Sequence, residues 1–324
     1  MQSDFFLLYF LIKMDKYLVT GGAGFIGSNI AEELVKRGYS VKIIDNFLTG
    51  KRENISSFLD KIELVEGDIR DYDACSRALE GVDFVLHQAA LPSVPRSIED
   101  PLLTNEINIK GTLNILLASR EAKVKGFVFA SSSSVYGDDP NLPKKEGTLG
   151  NPLSPYAISK LTGEKYCRVF SQIFGLPTVC LRYFNIFGPR QDPSSQYAAV
   201  IPNFISRMLK GESPTIFGDG EQTRDFTHVS NVVEANILAS KAQGVSGEVF
   251  NIACGERTTV NSLASNLNRI LKEEISPYYA EPRPGDVRDS FADMSKARKM
   301  LKYEPLVPLG KGLEETIRWY RERK

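Results

Sequence analysis

The sequence predicts an α/β fold, a doubly wound parallel sheet carrying a smaller, discontinuous second α/β unit. Three observations predict it. Short apolar runs alternate with helical stretches through the first half, and a glycine-rich turn joins the first run to the first helix. The 324 residues make about two domains at roughly 150 residues each. Hydrophobic residues at 42% and charged residues at 25% are globular values, too apolar for a disordered chain.

The elements follow in order. Lys16–Thr20 reads as a short buried strand, followed by Gly21-Gly22-Ala23-Gly24-Phe25-Ile26-Gly27 and a helix to Arg37 that Gly38 stops. Val41–Asp45, Ile62–Glu66, Phe84–His87, Phe127–Ala130 and Thr178–Arg182 are further strands, and Leu103–Ala122 and Ala157–Phe174 are the longest helices. Apolar strands spaced by helices imply a parallel sheet covered on both faces. Residues 225–255, with a helical stretch and the strand Glu248–Ile252, return to the first unit. The expected division is 15–182 plus 225–255 for the sheet unit and 183–224 plus 256–324 for the second, with 1–14 as an extension.

Charge and composition exclude several classes. Forty basic residues balance 40 acidic ones, which removes the broad attraction that drives nonspecific nucleic-acid binding. An anion held by this chain is therefore a small one at a discrete site. Four scattered cysteines (Cys75, Cys167, Cys180, Cys254) argue for a reducing, cytoplasmic setting over a disulfide framework. His87 and His228 form no ligand cluster, so no metal is expected. The apolar run Phe5–Ile12 is eight residues long, against roughly 20 for a membrane span. It lacks the flanks of a signal peptide, so it is expected to be a non-functional extension ahead of Met14 or, alternatively, a packing segment.

Gly21-x-x-Gly24-x-x-Gly27 sits between strand and helix, where glycines let backbone N–H groups approach a pyrophosphate at the positive helix end. Asp45 closes the second strand, placed to accept hydrogen bonds from ribose hydroxyls and to repel a 2′-phosphate. Dinucleotide binding follows, in a Rossmann-type sheet, with NAD preferred over NADP. Asp68 and Ile69, beyond the third strand, are expected against the adenine.

Ser154-Pro155 reads as a helix N-cap and first position, which puts Tyr156 and Lys160 on one helix face. An ammonium beside a phenol, with the positive nicotinamide ring, favours tyrosinate. Such a tyrosine takes a proton from a sugar hydroxyl while hydride leaves the same carbon. Read alone, the pair is an ordinary helix surface; beside a dinucleotide loop it is a catalytic pair. Ser131 to Ser134 follow a strand, and hydroxyls beyond strand carboxyl ends point into the site of a parallel sheet.

These motifs together resemble the extended short-chain dehydrogenase/reductases from about Lys16 onward. More narrowly, the chain resembles nucleotide-sugar 4-epimerases, and most closely those acting on UDP-N-acetylglucosamine (UDP-GlcNAc). His87-Gln-Ala-Ala90, Ser93-Val-Pro-Arg-Ser-Ile-Glu-Asp-Pro101, Leu181-Arg-Tyr-Phe-Asn-Ile-Phe-Gly188, Tyr197-Ala-Ala-Val-Ile-Pro202, Gly218-Asp-Gly-Glu-Gln-Thr-Arg-Asp-Phe226 and Gly285-Asp-Val-Arg-Asp-Ser290 carry that match. The resemblance implies Tyr156 as acid/base, Lys160 on the nicotinamide ribose, and Ser132 on the sugar O4, with Ser133 able to share or replace it. It extends the cofactor set to Phe25, Ile26, Asn46, Gly50, Gln88, Ala89, Ala90 and Tyr183. Asn185, Ala199, Val200, Arg224, Arg283 and Asp286 match positions around the UDP, where arginines suit a diphosphate. Ser93 and Ser290 border the sugar, a small Ser290 leaving room for a 2-acetamido group.

The implied activity is interconversion of UDP-GlcNAc and UDP-GalNAc through a 4-keto sugar, on tightly bound, recycled NAD, in a homodimer paired through Leu103–Ala122 and Ala157–Phe174. UDP-Glc/UDP-Gal remain open as substrates, as does an epimerase without N-acetyl preference. A 4,6-dehydratase is the nearest rival, but the Asp-Glu pair of those enzymes is Ser133-Ser134 here, which cannot do that acid/base work at neutral pH. A non-catalytic NAD-binding regulator has no use for Tyr156, Lys160 and the serine run together.

Overall fold

The computed structural model describes residues 14–148, 150–193, 199–282 and 288–323. Seven parallel strands form the central sheet, in the spatial order Glu248–Ile252, Thr178–Tyr183, Gly126–Ser132, Phe84–His87, Lys16–Thr20, Ser40–Asp45 and Ile62–Glu66. The order reverses beside Lys16–Thr20: the chain winds first to one side of it and then to the other. Ligands of open α/β sheets bind in the crevice such a switch point leaves beyond the strand ends.

Successive side chains on a strand face opposite ways, and the core divides accordingly. Tyr17 and Val19 pack on one face with the helix Phe25–Lys36 and with Val232, Ala235 and Ile237 of the helix Val229–Lys241. Leu18, Val85, Phe127 and Phe129 pack on the other with Cys75, Leu116 and Cys167. A third core joins Val200–Met208, Val260–Leu271 and Leu309–Glu322 through Ile201, Phe204, Leu263, Leu267, Leu313 and Ile317.

Three details differ from the sequence reading. The strand Phe127–Ala130 extends to Gly126–Ser132, carrying two serines into the sheet. The helix expected over Leu103–Ala122 is Pro101–Asn105, a π-helical segment Glu106–Gly111, and then Thr112–Glu121. Long-range contacts hold that segment: Asn108 accepts from Leu91 N at 2.7 Å and donates to Ser159 Oγ at 3.0 Å, and a Cβ on Gly111 would stand 2.5 Å from Ile69 Cδ1. Finally, Ala292, Met294, Ala297, Leu301 and Tyr303, allotted by sequence to the second unit, pack in the core of the main sheet. Their apolar spacing shows that they are buried but not against what.

Candidate functional site

The glycine turn builds the floor of the site. Gly21 adopts φ +64°, and a Cβ on it would stand 2.9 Å from the Ala89 backbone; a Cβ on Gly27 would stand 2.1 Å from the Gly21 carbonyl oxygen. Only glycine lets the strand end, the turn and the helix start meet this closely. The helix Phe25–Lys36 begins at Gly24 with no side-chain cap and no acid in its first turn. Its leading N–H groups and positive end are thus left for an anion.

This helix start opens into a cleft of about 730 Å³. Every residue expected at the cofactor lines it: Gly21, Gly24, Phe25, Ile26, Gly27, Asp45, Asn46, Gly50, Asp68, Ile69, Gln88, Ala89, Ala90, Tyr156, Lys160 and Tyr183. The Asp45 carboxylate accepts from Ala23 N at 2.9 Å and Phe47 N at 2.8 Å, and burial pushes its pKa up. A Cβ on Gly50 would stand 2.8 Å from that carboxylate, so glycine keeps its surroundings open. Each carboxylate oxygen retains acceptor capacity, so the residues present fit a dinucleotide: donors for the diphosphate, an acid for the ribose. Asp68 is committed elsewhere, taking hydrogen bonds from Arg70 and Asn46; the Arg70 guanidinium holds its pKa down at about 2.

The fourth strand is anchored by a histidine that sequence reading gave no task. His87 Nδ1 lies 2.7 Å from Thr20 Oγ1 and Nε2 3.0 Å from Thr112 Oγ1, and Thr20 Oγ1 also accepts from Ala89 N. Burial drives the imidazole pKa down to about 3, so it stays neutral while it holds the cleft wall in register.

The reactive cluster stands at the end of Gly126–Ser132. The cap and proline start the helix Pro155–Phe174, Ser154 Oγ accepting from Ala157 N at 3.1 Å. Tyr156 then lines the cleft, and the nearby Ser132 hydroxyl lowers the tyrosine's pKa against the effect of burial. Ser132 Oγ accepts from Ser134 N at 3.2 Å and Ser134 Oγ at 2.9 Å, which leaves its own hydrogen for the tyrosine oxygen. Ser133 begins the short turn beyond the strand, and of the two candidates Ser132, at the strand end, is the one whose hydroxyl bears on the Tyr156 pKa.

Lys160 lines the same cleft and is held by the strand. Its buried ammonium donates to Ala130 O at 2.8 Å and lies 5.8 Å from the Tyr156 ring centroid. Burial lowers its pKa to about 8. The ammonium sits beside the ring rather than on the phenol oxygen. The Tyr156 pKa is accordingly raised by burial, with the Ser132 hydrogen bond opposing that rise.

The expected sugar-nucleotide residues are more dispersed. Ser93 and Ala199 line the cleft, and Ser93, at φ +107°, caps Val94–Glu99 by accepting from Arg96 N. Val200 starts the next helix. Asn185 donates to Asp225 O, Arg224 to Thr223 O and Arg288 O, and Ser290 N to Thr223 O, all on the second unit and outside the cleft lining. Arg283 and Asp286 lie outside the described residues. Arg190, which no local pattern marked, lines the cleft and pairs with Glu32 at 3.1 Å. Among the described residues no three acidic, histidine or cysteine side chains are grouped for a metal.

A switch-point cleft with a glycine turn, an acid at the end of the second strand, and Tyr156 and Lys160 in its lining fits a nicotinamide-dinucleotide enzyme. The chain belongs to the NAD dependent epimerase/dehydratase family, whose model matches residues 17–253. It is 42% identical over 310 residues to a putative UDP-glucose 4-epimerase of Methanocaldococcus jannaschii, covering 94% of this chain and 98% of the relative. Among solved structures, a UDP-N-acetylglucosamine 4-epimerase from Methanobrevibacter ruminantium, in complex with UDP-N-acetylmuramic acid, superposes with TM-score 0.92 and 41% identity, covering 97% of this chain and all of that one. The UDP-glucose 4-epimerase of Thermotoga maritima with UDP-glucose gives TM-score 0.90 and 40% identity over 95% of this chain and 99% of that one. Relatives with these names are isomerases.

Proposed function

We propose that the protein inverts C4 of a UDP-hexose, interconverting UDP-GlcNAc and UDP-GalNAc and accepting UDP-Glc/UDP-Gal as well. The observation that carries this reading is the placement of Tyr156 and Lys160 in the glycine-turn cleft, with Lys160 held on Ala130 O of the strand that ends in Ser132. Bound NAD supplies a reversible hydride acceptor for the C4 hydrogen, so no net redox results. Tyr156 takes the O4 proton and later returns it. Ser132, with a single hydroxyl hydrogen, gives it to O4 when the sugar is bound and to the tyrosinate once the proton has been returned. The buried Lys160 charge, fixed on Ala130 O, favours that anion at a distance. The 4-keto sugar turns about its link to the diphosphate and presents its other face.

In this reading Asn185, Ala199, Val200, Arg224, Arg283 and Asp286 hold the UDP, and Ser93 and Ser290 border the 2-acetamido group. The division into 15–182 plus 225–255 and 183–224 plus 256–324, with the stretch from Ala292 to Tyr303 packed back on the main sheet, then separates cofactor from sugar nucleotide. Exposed Leu102, Ile158, Ile173 and Phe174 support a homodimer through the two long helices, since apolar side chains gathered on neighbouring helices favour a covering partner. Residues 1–14 have no task in it, and a reducing cytoplasm suits the free cysteines. Among the described residues no helix is long and apolar enough to cross a membrane.

The test is a rate comparison of UDP-GlcNAc and UDP-Glc on wild type and Tyr156→Phe. The reading expects faster inversion of UDP-GlcNAc, and loss of turnover in the variant with bound NAD retained. Equal rates on both sugars would leave an epimerase without N-acetyl preference; full activity of Tyr156→Phe would refute the mechanism.

A further inference from the structure

Below the reactive cluster lies a buried ion pair that touches neither the cleft nor solvent. Glu164 and Arg182 have side chains only 3% and 6% exposed. Arg182 Nε donates to Glu164 Oε1 and Nη2 to Oε2, both at 2.8 Å, in the two-pronged geometry of a strong guanidinium–carboxylate pair. Glu164 Oε1 also accepts from Ser131 Oγ at 2.5 Å.

The pair's place in the fold gives it meaning. Tyr156, Lys160 and Glu164 are spaced by four along one helix face. Lys160 and Glu164 tie that helix to the end of one strand, through Ala130 O and Ser131 Oγ, next to Ser132. Arg182 comes from the neighbouring strand and also lies over the Tyr136 ring at 4.7 Å; Tyr136 in turn donates to Asn251 Oδ1 at 2.7 Å on the edge strand. Two adjacent strands and the helix thus meet at the Glu164 carboxylate, and the edge strand is linked to it through Tyr136 and Arg182. Stability alone would be served as well by apolar residues filling the same space, because burying two charges costs most of what their attraction returns. What an apolar pair cannot do is hold Ser131 by a directed hydrogen bond.

We propose that Glu164, braced by Arg182 and bonded to Ser131, is a positioning residue that fixes the strand end against the helix and so sets how closely Ser132 can contact Tyr156. This rests on the epimerase reading, in which that contact moves the O4 proton. Slippage of the strand end by even a fraction of an ångström lengthens the proton-transfer path, and misplacement of about 1 Å costs roughly a hundredfold in rate.

The experiment separates positioning from folding. Glu164→Leu combined with Arg182→Leu replaces the pair by apolar side chains and leaves no buried charge unpaired. We expect its melting temperature to stay near wild type while kcat falls about ten- to a hundredfold. KM and bound NAD should hold, and the primary isotope effect with 4-deuterated UDP-sugar should rise toward its full value as hydrogen transfer becomes rate-limiting. Should that pair of changes prevent folding, Ser131→Ala removes the tie to Glu164 and is expected to lower kcat with bound NAD retained. Retained NAD separates the tie from the stretch of cleft wall Ser131 also forms, and Ser131→Thr should restore kcat. Wild-type kcat in a folded double variant would overturn the proposal, as would wild-type kcat in Ser131→Ala. Wild type that inverts neither UDP-GlcNAc nor UDP-Glc would instead overturn the epimerase reading itself.

Discussion

Gly27→Ala tests the cofactor floor. The added Cβ would stand 2.1 Å from the Gly21 carbonyl oxygen and 2.8 Å from its carbon. Comfortable non-bonded separations are about 3.5 Å, so the helix start and the turn must part by about 1 Å. Both sides are backbone, and no side chain can rotate to relieve the contact. Overpacking of this kind costs about 1–3 kcal/mol of stability. The effect on the cofactor is larger. Hydrogen bonds to the diphosphate tolerate a heavy-atom window of only about 0.5 Å, and each bond to a charged group contributes roughly 1.5–3 kcal/mol. Losing two of them weakens NAD binding by at least ~3 kcal/mol, more than a hundredfold. NAD released from the purified protein by acid and quantified against protein, alongside a thermal melt, measures both effects. Gly27→Ala carrying NAD at wild-type occupancy and affinity would refute the assignment of this turn to the diphosphate.

Other outcomes follow from the same geometry. Asp225, fully buried, has its carboxyl pushed up to about 6 by desolvation, against four backbone N–H donors that favour the anion. Its folded value lies above the unfolded one of about 3.9, so native protein binds this proton more tightly. The stabilisation is complete below pH ~4 and is lost as pH rises through ~6, about 3 kcal/mol in all. Denaturant melts of wild type and Asp225→Asn from pH 4 to 7 should show wild type losing ground by about that amount; a constant gap contradicts it. Ser290→Tyr should slow UDP-GlcNAc far more than UDP-Glc in parallel rate assays, and equal loss on both would remove Ser290 from the sugar pocket. Ile173, 70% exposed on the long helix, should be covered in a dimer, so Ile173→Asp is expected to shift sedimentation from dimer to monomer. An unchanged sedimentation coefficient would point to another interface.

Much of this was legible in the sequence because the physics is local. Strands buried on both faces leave unbroken apolar runs, and Ser154-Pro155 announced the helix that carries Tyr156 and Lys160. Other features have causes far away along the chain. The π-helical turn at Glu106–Gly111 depends on Leu91, Ser159 and Ile69. Lys160 has the four-residue spacing that suggests a phenol partner, yet a carbonyl 30 residues earlier takes its ammonium. Arg190 and Arg182 look like surface charges until Glu32 and Glu164 are seen beside them. The serine run marked a hydroxyl-lined strand end but not which hydroxyl does what, because only the end of the strand decides that Ser131 meets Glu164 and that Ser132 is the strand's last residue.

The most direct measurement is proton NMR of purified protein incubated with UDP-GlcNAc, and separately with UDP-Glc, without added nucleotide. Epimerisation on retained NAD predicts many turnovers per protein toward a mixture of C4 epimers of unchanged mass. A reaction that stops after one turnover per bound NAD, or a product lighter by one water, would contradict it.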